Sequence, residues 1–139
     1  MIDIPFSKLI IGYLLTTIVF FVIDILWLGF LAKGMYNKML GHLMASNVNW
    51  TAAIIFYLIF IVGIFVFSIN PGVQKDSFQH ALIYGVLFGF FTYATFDLTN
   101  LATLRDWPIK IVIIDIIWGM VLTGSVASSG FYIMRWLLK

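Results

Sequence analysis

The 139-residue chain is 63% hydrophobic and only 10% charged, whereas an ordinary soluble domain carries about 25% charged residues, so a normal water-facing surface is excluded. Its net charge of +2 is spread over loops and tails without a basic cluster, which gives no basis for a nucleic-acid partner. There is no cysteine, so disulfides, thiolate metal sites and thiol nucleophiles are excluded as well.

The apolar residues fall in four long runs, and the predicted helices cover about 8–31, 50–69, 80–104 and 109–135. Each is near the roughly 20 residues needed to cross about 30 Å of hydrocarbon. Backbone groups in lipid must be paired within their own segment, so these runs read as helices despite their many Ile, Val, Phe and Thr residues. They do not alternate polar and apolar positions, which argues against a barrel. The expected fold is all-α, a single four-helix transmembrane domain over residues 1–139 with a short interfacial helix in the first loop.

The first run is too long for a signal-peptide core, lacks a small-x-small cleavage pattern and precedes three further spans, so it reads as a retained helix. Loop one, Ala32 to Trp50, sets Lys33, Tyr36, Lys38, His42, Ser46, Asn47 and Asn49 among Met35, Met39, Leu40, Leu43 and Met44, a pattern that suits an amphipathic helix at the membrane surface. Asn70-Pro71-Gly72 reads as a turn after the second run, and Arg105-Asp106-Trp107-Pro108 as a tight connection whose proline starts the last helix. Lys8, Lys75, Arg135 and Lys139 fall on the N-terminal side of the membrane and Lys33, Lys38, Arg105 and Lys110 on the other. That tie leaves the orientation open under the positive-inside rule.

Asp24, Asp97 and Asp115 lie within the hydrophobic runs, where an ionisable side chain is costly and marks a functional site by default. No Lys or Arg lies deep enough in the runs to pair with them. Each stands about six or seven residues from the loop-one face, which at about 1.5 Å per residue places all three about 10 Å inside it, in one layer. Helical spacing agrees, aligning Tyr13, Thr17, Phe20, Asp24 and Trp27 on the first helix and Gly85, Gly89, Tyr93, Asp97 and Asn100 on the third. On the fourth helix Asp115, Trp118 and Gly119 share a side, and Tyr57 is the comparable polar residue of the second. Gly85 and Gly89 form a small-xxx-small surface and are expected as packing positions.

Like charges held close in lipid cannot all ionise, so a cluster of these carboxylates is expected to hold at least one proton. Such a set can act as a general acid and base, carry a coupled proton, or bind a divalent cation through oxygen ligands. The plainer alternative is that each aspartate only hydrogen-bonds across helices and fixes their packing. His42 could join from loop one as base or ligand, with Ser46 four residues on completing a Ser-His-Asp set. A loop histidine is more simply solvated or interfacial. The similar phrases Val22-Ile23-Asp24-Ile25-Leu26-Trp27 and Ile113-Ile114-Asp115-Ile116-Ile117-Trp118 run in opposite directions across the membrane. A two-helix duplication would not align the first helix with the fourth, so chance or convergence accounts for them.

Several phrases together resemble the bacterial membrane proteins grouped as domain of unknown function 2177. They are Asp24-Ile-Leu-Trp27-Leu-Gly29, Leu40-Gly41-His42-Leu43, Asn49-Trp50, the stretch from Tyr93 through Asp97 and Asn100 to Thr103, and Asp115-Ile-Ile-Trp118-Gly119. The resemblance covers nearly the whole chain and implies a compact four-helix membrane protein, expected in the bacterial inner membrane, but no reaction. The leading expectation for function is a membrane-embedded hydrolase acting on lipid, with Asp24, Asp97, Asp115 and His42 catalytic and Trp27, Tyr57, Tyr93, Asn100 and Trp118 around the substrate. A small proton- or cation-coupled transporter, working as a homo-oligomer, is the second class, and a non-catalytic assembly subunit the third.

Overall fold

A computed structural model describes all residues, Met1–Lys139, and is helical throughout apart from short connections. Four helical spans are long and apolar enough to cross a membrane: Phe6–Leu31, Trp50–Gln74, Phe78–Thr103 and Ile109–Leu137. Within them, α1 (Phe6–Leu26) ends in a wide π turn at Trp27–Leu31, and α3 (Trp50–Ile64) passes through a second π turn, Phe65–Ile69, into the short α4 (Asn70–Gln74). The last two spans are the uninterrupted α5 (Phe78–Thr103) and α6 (Ile109–Leu137). Loop one carries α2, Lys33–Leu40, followed by a single 3-10 turn at Gly41–Leu43.

The second span departs from expectation at Asn70-Pro71-Gly72, which continues the helix instead of turning. A proline inside a regular α-helix removes one backbone hydrogen bond and clashes with the carbonyl four residues back. Here the π turn immediately before it resets the bonding pattern, so Pro71 falls in the first turn of a new helical stretch, where its missing N–H costs little. The chain reverses instead at Lys75–Ser77, with Asp76 in the left-handed region at φ 48° and the Ser77 side chain capping α5 by accepting from the His80 N–H at 3.1 Å.

α5 and α6 form the most extensive helix pair, and α6 packs on α1 as well. The pairing of α5 with α6 follows one antiparallel register. A Cβ placed on Gly85 would stand 2.5 Å from the Ala127 Cβ, one on Gly89 would stand 2.9 Å from Thr123 Oγ1, and one on Gly119 would stand 2.9 Å from the Tyr93 Cβ. Stepping four residues along α5 and four back along α6, the next opposed pair is Asp97 and Asp115. Gly89 comes closest to backbone: an added Cβ would stand 2.7 Å from the Gly119 carbonyl carbon, against 3.0 Å from the nearest backbone atom at Gly85.

Away from loop one the bundle is solid, with Phe20, Ile61, Ile64, Leu122 and Phe131 all at most 1% exposed. Toward loop one it opens. The π turn at Phe65–Ile69 packs on α5, whereas the first half of α3 has no comparable contact with α5. At the opposite end Arg135 and Asp76 make the only ion pair, 3.4 Å apart and exposed.

Substituting Gly89→Ala forces backbone to move and is expected to cost about 1–3 kcal/mol, the usual penalty of overpacking. Gly34→Ala, in α2 with nothing within 4 Å of the new Cβ, is expected to be neutral or to gain up to about 1 kcal/mol from helix propensity. Unfolding of both variants in mixed detergent micelles measures the contrast.

Candidate functional site

Asp97 and Asp115 face each other across the α5–α6 register. Asp97 is fully buried at 0% exposure, and neither of its oxygens receives an N–H or O–H; its carboxyl lies within hydrogen-bonding reach of that of Asp115. Asp115 in turn accepts from the Tyr36 hydroxyl. The same hydroxyl accepts from the Trp27 indole N–H at 3.2 Å. A continuous chain therefore runs from Trp27 through Tyr36 to Asp115 and Asp97, joining α1, α2, α6 and α5.

Asp24 stands on the other side of the group, 5% exposed, and accepts from the Tyr57 hydroxyl of α3 at 3.1 Å. The indoles of Trp27 and Trp118 stack between α1 and α6, with ring centroids 4.4 Å apart and planes within 9° of parallel. Tyr93 is set against Gly119, the one residue type that admits its ring at that distance. Trp107, from the connection before α6, is turned toward Asp97, and Trp118 toward Asp24, both without a bond of full hydrogen-bonding geometry.

These side chains surround a chamber of about 340 Å³ lined by Asp24 and Asp115 together with Tyr36, Tyr57, Tyr93, Trp107 and Trp118. Two larger cavities adjoin it and share its walls. One, of about 430 Å³, lies where α3 stands off from α5, between Phe56, Phe60, Thr92, Tyr93 and Phe96, and reaches Asp115. The other, of about 680 Å³, lies between α1, α2 and α3 and reaches Asp24.

Of the residues expected at a site, the structure brings together Asp24, Asp97, Asp115, Trp27, Tyr57, Tyr93 and Trp118. His42 is apart from them: it is exposed on the Gly41–Leu43 turn and lines none of the three cavities. Ser46 is likewise exposed, so the Ser-His-Asp set does not form. Asn100 is half-buried one turn beyond Asp97 and also lines none of these cavities. Nor do the carboxylates converge as metal ligands, since no three His, Cys, Asp or Glu side chains are grouped to hold an ion. Asp24 is drawn to Tyr57 and Asp115 to Tyr36, so the two turn to different donors.

Tyr36 is the member that sequence reasoning passes over. It lies four residues before Leu40, the buried residue of α2, on the face that an amphipathic helix turns inward. That spacing was the available signal. Burial, and after it the Asp115 carboxylate, push the Tyr36 hydroxyl well above the ordinary tyrosine range, so it remains a donor into alkaline solution.

Four apolar spans around a cavity lined by Asp24 and Asp115 define a polytopic integral membrane protein. The model of a family described as a predicted membrane protein, domain of unknown function 2177, matches residues 9–132, and the chain belongs to that family. No curated protein and no solved structure matches it.

Tyr36→Phe leaves the Trp27 N–H and one Asp115 oxygen without their partner and is expected to lower stability by about 1–3 kcal/mol, while Tyr132→Phe, exposed and unbonded, changes it by less than about 0.5 kcal/mol. Because folding raises the Tyr36 value, the wild-type advantage is full below the ordinary tyrosine range, near pH 10, and is lost as pH rises through the folded value. Unfolding of wild type and Y36F across alkaline pH tests both the size and the sign.

Proposed function

We propose that this protein is a membrane-embedded enzyme that hydrolyses a lipid ester, with its aspartates lying in the hydrocarbon about 10 Å below the loop-one face. The observation that carries this reading is a chamber lined by Asp24 and Asp115 with apolar cavities adjoining it on two sides. A lipid carries its ester groups just below the headgroups, and a slot between helices lets a chain enter sideways without leaving hydrocarbon.

Asp97 has acceptors but no donor, and a proton held between it and Asp115 supplies one. That proton makes the pair the general acid. Asp24, oriented by Tyr57, is the base. It takes a proton from water as the water oxygen bonds to the ester carbonyl carbon. The tetrahedral intermediate collapses with cleavage of the carbon–alkoxy bond, and the leaving oxygen takes the proton from the Asp97–Asp115 pair. The products are a carboxylic acid and an alcohol, and transfer of the proton from Asp24 through water restores the site.

A small proton- or cation-coupled transporter would use the same carboxylates, but it needs access from both faces. The packed layer of Phe20, Leu122 and Phe131 weighs against that. An assembly subunit would use its aspartates only to fix helix packing, and the cavity that Asp24 and Asp115 line weighs against that.

Lipid turnover by the purified protein in defined bilayers tests the reading. Asp24→Asn and Asp115→Asn are expected to lose about 10²–10⁴-fold in rate, the usual worth of a general acid or base, and His42→Ala to stay within about twofold. Folded wild type that turns over no common lipid class, yet shows aspartate-dependent proton flux in vesicles, would replace hydrolysis with transport.

A further inference from the structure

The cavity between α1, α2 and α3 differs from the other two in having a cation at its rim. Lys33 lines it, with Asn37 one turn along α2 and Trp50 at the start of α3, while Phe21, Ile25 and Leu28 form an apolar wall that descends to Asp24. No other Lys or Arg lines any of the three adjoining cavities. The Lys33 ammonium has no ion-pair partner and makes no hydrogen bond, although Asp24 shares its cavity. The N-terminus of α2 carries no side-chain cap. The positive end of the α2 dipole adds to the charge of Lys33.

We infer that this groove is a binding site for a lipid with an anionic phosphate headgroup, the phosphate held by Lys33 and Asn37 and one acyl chain lying along Phe21, Ile25 and Leu28. Charge complementarity selects the occupant: the Lys33 ammonium and the positive start of α2 attract an anion, the Asn37 amide can donate to it, and the apolar wall beneath them suits a chain rather than a soluble phosphate. Geometry adds a register. Lys33 and Asp24 line the same cavity, separated along the chain by the π turn at Trp27–Leu31, so a lipid whose phosphate is held by Lys33 and whose glycerol esters reach Asp24 occupies one continuous groove. This assignment of substrate class rests on the lipid-enzyme reading, but the binding itself does not need turnover.

Spin-labelled phosphatidylglycerol and phosphatidylcholine in bilayers containing the purified protein measure the site directly, through the fraction of each lipid that is motionally restricted. Wild type is expected to prefer phosphatidylglycerol by about fivefold, the worth of roughly one well-placed lysine at an anionic surface. Lys33→Gln is expected to bring the ratio near one and Lys33→Arg to retain it. Lys38→Gln, on the same helix but outside the groove, is expected to leave the preference in place. A preference that survives in K33Q, or that falls equally in K38Q, would overturn the inference, because the selectivity would then belong to general surface charge. Lys33-dependent preference without lipid turnover would sustain the binding site and remove the hydrolase reading. Turnover without any headgroup preference would do the reverse.

Discussion

Between Gly89 and Gly119 no side chain holds α5 and α6 apart, so the backbone of one helix meets the backbone of the other. Small residues serve membrane helices in this way because lipid gives little hydrophobic drive to helix association, and close dispersion contact must replace it. The register that results is strict. Gly85 lies against Ala127, Gly89 against Thr123 and Tyr93 against Gly119, and the next step along the same ladder brings Asp97 to Asp115. Two carboxyls that would avoid each other if free are thus held together by packing one and two turns away. The Trp27–Tyr36 chain then reaches over the pair from the loop-one side.

The bundle is accordingly uneven. Its far half is filled by interlocked aliphatic and aromatic residues around α6, and its loop-one half is held by polar contacts around a cavity. Such a division suits a protein whose stability and chemistry occupy different parts of the same helices. The solid half fixes helix positions, and the open half needs only to orient a few hydroxyl, indole and carboxyl groups.

Much of this was legible in the sequence. Hydrocarbon thickness sets the number of apolar residues in a span, so the four helices follow from run lengths alone. Asp24, Asp97 and Asp115 stand out because charge in such runs is rare, and i to i+4 spacing groups Gly85, Gly89, Tyr93 and Asp97 on one face. Three things were hidden. Asn70-Pro71-Gly72 has the composition of a turn, and only the π turn before it, invisible in composition, lets the helix continue. Tyr36 belongs to the site because α2 folds back over the bundle, a long-range placement that local pattern does not encode. His42 has the chemistry of a catalytic residue, but the Gly41–Leu43 turn leaves it exposed.

The lone ion pair, Arg135 with Asp76, has both partners open to water. Exposed pairs of this kind are worth about 0–1 kcal/mol, and the rest of the architecture relies on dispersion, hydrogen bonds and burial, none of which salt screens appreciably. Ionic strength therefore separates two properties that are usually entangled in membrane proteins. Added salt screens the charges of the surface lysines while leaving the helix bundle essentially as stable as before, so a change of ionic strength alters what the loop surfaces attract without loosening the fold.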